Sequence, residues 1–148
     1  MLTATLIKIF HRDLDSLKRE IESYQSEDQL WVASRDICNS AGNLSLHIIG
    51  NLNHFIGAIL GHSGYVRQRN LEFTRTHVSK LEIITSIEAT KGIIADVLGK
   101  LSTSDLEKEY EVRVFGEPMS TGYFLVHLFT HLAYHLGQVN YHRRLLDR

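Results

Sequence analysis

Cysteine is nearly absent from this 148-residue chain, where Cys38 stands alone. No internal disulfide can form, and nothing calls for an oxidising compartment. A charge excess of one sign is missing too. Sixteen basic and seventeen acidic residues leave a formal charge of -1, with no long run of either sign. The electrostatic footprint that a phosphate backbone needs is therefore lacking, and no nucleic-acid partner is expected. Long apolar runs are also wanting. The stretch from Leu2 to Phe10 has no basic lead-in and is broken by Lys8, so it reads neither as a signal peptide nor as a membrane span. No membrane partner is expected, and the cytoplasm is the default location. Several catalytic signatures are missing as well. There is no Glu-x-x-His, the mark of di-iron carboxylate bundles, and no His-Glu-x-x-His. Gly-x-Gly-x-x-Gly, the P-loop and Gly-x-Ser-x-Gly do not occur either. Cys38, far from other reactive groups in sequence, reads as a small core residue and not as a nucleophile.

What is present is helical periodicity. At 43% hydrophobic residues, the length suits a single domain, 1–148, with one core. Leu6, Phe10, Leu14, Leu17, Ile21 and Tyr24 recur at steps of three and four, which predicts a first helix. Residues 25–39 read as a connector with Trp31 as a lid. Ser40 caps a second helix that runs through Leu44, Ile48, Leu52, Phe55 and Ile59 to Gly61. Its internal Gly50 and Gly57 each weaken it by roughly 1 kcal/mol relative to alanine, tolerable where a neighbour must approach the backbone closely. Residues 61–78 carry no sustained apolar period. Fully extended they reach about 60 Å, enough to cross a bundle, so the third helix can run parallel to the second. That helix opens on Ser79 and Glu82, a predicted capping box, and its apolar face runs from Leu81 to Leu101. Residues 102–105 read as a turn, and Tyr110 to Gly116, alternating apolar with charged, as a short extended piece. The one proline, Pro118, precedes Ser120, which caps a fourth helix reaching to about Arg144. The expected fold is all-α, a four-helix bundle with a crossover between helices two and three.

Three of the nine histidines, His127, His131 and His135, fall four residues apart on the fourth helix, beside a parallel series of Leu128, Leu132 and Leu136. Residues at this spacing sit one above the other, so two imidazoles can converge on one ion. The alternative is that these rings only hydrogen-bond inside the bundle. A third ligand from another helix would decide for the metal. Helix two offers His47 or His54, of which only one can join, and Asn51 is placed to orient a ligand. His127 is read as filler, a neighbour of the site, or a base facing substrate. His54 is read as a rim residue. His11, His62, His77 and His142 are read as solvated, and Gln138 as a hydrogen-bond partner near the site.

The segments Asn39–Phe55 and His131–Gln138 resemble the two hallmark stretches of the DinB-like superfamily, and the likeness in length and helix order extends over the whole chain. The resemblance implies a crossover four-helix bundle holding one divalent metal through His47, His131 and His135. It also implies an activity, because the superfamily includes bacillithiol transferases and the mycothiol-dependent maleylpyruvate isomerase. Three neutral imidazoles leave an open coordination position, the pattern of a catalytic site. The reading is thus a metal-dependent thiol transferase or hydrolase that activates a low-molecular-weight thiol or a water toward a small-molecule substrate. The alternative is a noncatalytic scaffolding bundle with a structural metal. Zinc or nickel is expected, with iron a further candidate, since imidazole suits them all. Metal is expected to leave as pH falls through about 6.5, the ordinary imidazole value. Ile49, Ile56 and Ile93 suggest a homodimer.

Overall fold

A computed structural model describes residues 2–148. Six α-helices are formed among them, and no strand. Helix α1 (Leu2–Ser23) leads through a 3-10 turn (Glu27–Trp31) into α2 (Ala41–Leu52), which continues as a π-helical stretch (Asn53–Leu60). Then come α3 (Arg69–Thr74), α4 (Lys80–Gly99), α5 (Thr103–Glu107) and α6 (Thr121–Leu146). Three of the four long elements begin where local chemistry dictates. Ser40, Ser79 and Ser120 each accept a hydrogen bond from a first-turn amide, those of Asn43, Glu82 and Tyr123 respectively.

Helix directions follow from the contacts between them. His11 Nε2 donates to the Lys91 carbonyl and Lys18 pairs with Glu88, so α1 and α4 are antiparallel. Phe10 packs on Phe129 while Glu20 accepts from Asn140 and Arg143, which makes α1 and α6 parallel. Asn53 donates to Thr90 Oγ1, and Gly57 leaves room for Ile93, so α2 and its continuation run parallel to α4. His47 meets His131 and Phe55 meets Phe124, so α2 and α6 are antiparallel. The fold is therefore a four-helix bundle of α1, α2, α4 and α6, with the expected crossover between the second and third long helices.

The core holds every residue of the first periodic series, from Leu6 at 1% exposure to Tyr24 at 2%, together with Ile48, Leu52, Ile83, Ile87, Leu128 and Leu132. Each such aliphatic side chain contributes about 1.5–3 kcal/mol by leaving water. The π-helical stretch shows in the bond from Gly61 N–H to the Ile56 carbonyl, five residues back. At its start Asn53 Nδ2 donates to both the Ile49 carbonyl and Thr90 Oγ1.

Several local expectations are corrected. Ser79 caps α4, but the Glu82 carboxylate pairs with Arg75, leaving the box half formed. A complete capping box forms instead at Ser102 and Asp105, where a turn was expected and α5 begins. Tyr110 to Gly116 is not extended. It turns back on itself, Gly116 at φ +80, with Tyr110 buried and Val112 and Val114 exposed. His142 is not solvated but 2% exposed, bonded to the Tyr24 hydroxyl and the Val32 carbonyl. Ile56 is fully buried, and Ile49 and Ile93 pack against the core. The bundle thus takes up Ile56 whole, while Ile49 and Ile93 stay half-buried.

Candidate metal centre

Helix α2 places His47 on its buried face, with Gly50 and Asn51 one turn on. From the opposing helix α6, His131 and His135 project one above the other. The three rings meet edge to face. His47 Nε2 lies 3.2 Å from His131 Nε2, and His135 Nε2 lies 3.1 Å from the same atom. His47 is buried and the other two are half-buried.

The opposite ring nitrogens decide what those short contacts mean. His47 Nδ1 lies 3.0 Å from Glu72 Oε1, and a carboxylate can only accept, so Nδ1 carries the proton. His135 Nδ1 lies 2.6 Å from Gln138 Oε1, which likewise accepts. Both rings therefore turn a lone pair on Nε2 toward His131 Nε2. That atom can supply one proton at most, so at least one short contact sets lone pair against lone pair. A cation at the centre relieves this, and a neutral hydrogen-bond network does not. At Zn–N distances of about 2.0–2.1 Å and tetrahedral angles, ligand nitrogens stand about 3.3 Å apart, close to the spacing found. The residues present thus fit a divalent metal, and these three histidines could hold one.

Glu72 and its partner Arg67 were not foreseen from sequence. Arg67 grips the Glu72 carboxylate at both oxygens, Nε to Oε2 at 2.8 Å and Nη2 to Oε1 at 2.9 Å. Glu72 sits on α3, in the crossover, at 6% exposure. It reaches α2 because Gly50 has no side chain: a Cβ there would lie 2.2 Å from Glu72 Oε2. Burial works to raise the Glu72 pKa, but the hydrogen bonds from His47 and Arg67, with the Arg67 charge, outweigh it and hold the carboxyl below its ordinary value. Phe73, the next residue, covers the His47 ring at 4.9 Å.

The remaining histidines separate cleanly. His127 stacks on Phe124 at 5.8 Å, and its ring centroid is 6.3 Å from that of His131, outside the ligand cluster. His54 packs against Phe55, away from the triad, and its pKa is lowered by burial and by Arg67 against the pull of Glu72.

Burial pushes the His131 pKa down to about 4, helped by its histidine neighbours and Arg67. Burial also lowers His135, against the Gln138 hydrogen bond. Between about 6.5 and about 4 the unfolded chain therefore binds protons that the folded, metal-free chain refuses, and stability falls as pH falls. The urea midpoint of metal-free protein should drop steadily across that window. The drop should be shallower in His131→Gln, and an equal slope would contradict the assignment.

The family model for DUF1572, described as a protein of unknown function, matches residues 3–148. The chain belongs to the DUF1572 family. A conserved protein from Enterococcus faecalis shares the fold at TM-score 0.77 and 17% identity, over 97% of this chain and 96% of the other. A DinB-like protein from Bacillus cereus ATCC 10987 shares it at TM-score 0.68 and 17% identity, over 89% and 84%. The DinB-like resemblance of the two sequence segments is thus supported by the fold and the family. No curated protein matches the chain. No helix among the described residues is long and apolar enough to cross a membrane.

Beside His47 and His131 a cleft of about 270 Å3 opens, walled by Phe55, Phe124, Arg67 and Arg69. A larger cleft of about 990 Å3 lies between α5 and the first turn of α6, but its walls include no histidine and only one carboxylate, Glu107. The chemistry places the candidate site at the smaller one.

Proposed function

We propose that this chain binds one divalent metal through Nε2 of His47, His131 and His135 and works as a metal-dependent enzyme on a small molecule, with a thiol or water as the attacking group. The observation that carries the reading is the proton count: three Nε2 atoms face one another while Nδ1 of two rings is already committed to Glu72 and Gln138. A metal held by three neutral imidazoles keeps its full charge and lowers the pKa of a bound thiol or water. The protein's own groups prepare that position. Glu72 and Gln138 fix the tautomers and ring orientations of His47 and His135, and Arg67 holds Glu72 ionised in turn. Phe73 shields His47 from water on one side. The thiol reading rests on the resemblance of the segments Asn39–Phe55 and His131–Gln138 to the DinB-like superfamily, which includes bacillithiol transferases. A cytoplasmic location belongs to the same proposal, as does a homodimer, for which Tyr123, Tyr134 and Tyr141 offer an exposed stripe on α6.

Elemental analysis of untagged protein tests the proposal directly. About one equivalent of zinc, nickel or iron is expected in the wild type, and almost none in His131→Ala or His135→Ala. Equal metal content in all three would end the reading. The lowered pKa values also revise the expected acid release. Because His131 and His135 resist protonation, metal should persist below pH 6.5 and leave as pH approaches about 4. A cobalt-loaded sample should change its visible spectrum on addition of azide or a thiol, and an unchanged spectrum would favour a sealed, structural ion.

A further inference from the structure

The cleft beside the triad holds polar groups that the metal reading does not use. Asn51, one turn after His47, is 7% exposed and lines the cleft, yet its side chain makes no hydrogen bond among the described residues. Its Oδ1 is sealed without a partner, which leaves Nδ2 as the end able to meet a ligand. The unpaired Nδ2 is therefore a donor free to meet an acceptor that enters the cleft, while the sealed Oδ1 stays out of such a group's reach. Arg69 lines the same cleft. Its guanidinium lies over Phe73 at 5.2 Å, but it has no ion pair or hydrogen bond among the described residues. Arg67, by contrast, is neutralised by Glu72. No carboxylate lines the cleft, so its spare capacity is all on the donor side. The aromatic ring the cleft offers is the half-buried Phe55, with Phe124 (1% exposed) packed edge to face behind it at 5.1 Å.

We propose that the cleft takes a small carboxylate with a flat, apolar body, its anionic end held by Arg69 and the Asn51 amide and its body laid against Phe55. A guanidinium presents a planar fork that matches a carboxylate, and an aromatic wall favours a planar partner. This deepens the reading of the metal centre by naming the class of its small-molecule substrate. It does not require the metal in order to bind.

Calorimetry on the full chain tests it with benzoate and its neutral isostere benzamide, at about 0.15 M salt so that distant charges are screened. Chelator-treated and zinc-loaded protein are compared. Benzoate should bind metal-free protein about tenfold more tightly than benzamide, the scale of one charge-assisted hydrogen bond. Arg69→Met should erase that preference, and Asn51→Ala should weaken benzoate about threefold while Arg69→Met and Asn51→Ala both keep the wild-type helical circular-dichroism spectrum. If the methionine variant does not fold, Arg69→Gln decides by the same comparison. Equal affinity for benzoate and benzamide would overturn the proposal. So would benzoate binding confined to the zinc-loaded form and indifferent to Arg69→Met, since the carboxylate would then be a metal ligand only. Tighter binding of inorganic phosphate than of benzoate would overturn the flat carboxylate. Failure of the metal reading is separately visible, because an Arg69-dependent benzoate preference would survive in a protein that elemental analysis finds empty.

Discussion

Replacing Glu72 by alanine should lower the unfolding free energy by about 3 kcal/mol and weaken metal binding about 10–100-fold. Two consequences combine. Arg67, whose side chain is 12% exposed, would keep its charge with no carboxylate to answer it, and removing one partner of a buried pair costs far more than the pair itself contributes. His47 Nδ1 would lose its acceptor at the same time, freeing the tautomer and the tilt of the ring. Glu72→Gln separates these effects. It keeps one acceptor for His47 but cannot balance Arg67, so it should lose most of the stability and less of the metal affinity. Urea unfolding and metal competition with a chromophoric chelator measure the two quantities. A Glu72→Ala protein as stable and as tightly metallated as the wild type would show that α3 is mere cover.

Gly50→Ala should have an effect of similar size but with a signature of its own. In an ordinary helix interior the exchange stabilises by about 1 kcal/mol. Here the new methyl would lie 2.2 Å from Glu72 Oε2 and 2.7 Å from its Cδ. The carboxylate cannot swing aside without releasing His47 and Arg67, so the substitution should instead destabilise by about 2 kcal/mol, the loss of the buried pair less the helix gain. In a Glu72→Ala background the obstacle is gone, and the same alanine should be neutral or stabilising. A double-mutant cycle reads this reversal of sign. Equal destabilisation in both backgrounds would mean that Gly50 is required for some reason other than the approach of Glu72.

The parts of the fold that could be read in advance are those fixed by local repetition. The face of α1, from Leu6 to Tyr24, follows from spacing alone, because residues three and four apart must share a side. The serine caps before α2, α4 and α6 were legible for the same reason: their amide partners are three residues away. The convergence of His131 and His135 is likewise a local fact, whereas the addition of His47 rested on the resemblance of its segment to DinB-like proteins.

What escaped was set by contacts distant in sequence. Glu72 is 25 residues from His47, on a six-residue helix inside a stretch without apolar rhythm, so no period announced it. Gly50 did signal a close neighbour, but a glycine does not say which. His142 stands near the end of a helix, where solvation is the natural expectation, and is buried only because Tyr24 and Val32 come from another part of the chain. Tyr110 to Gly116 alternates like a strand, yet the cross-chain pairing stops at Tyr110 N–H on the Met119 carbonyl, and the rest closes in turns of its own. The side-chain bond from Asn53 to Thr90 of α4 joins two helices far apart in sequence, and no reading of α2 could supply it.

The crossover between α2 and α4 has a further consequence for how such proteins can diversify. Parallel neighbours oblige the chain to travel back along the bundle before α4 can begin, and that return journey carries Arg67, Arg69 and Glu72 to the rim of the histidine cluster. Core packing and site chemistry are thereby assigned to different stretches of sequence. Insertions or exchanges within this one link could retune the surroundings of the ion while the four long helices, and the rings they carry, stay in place.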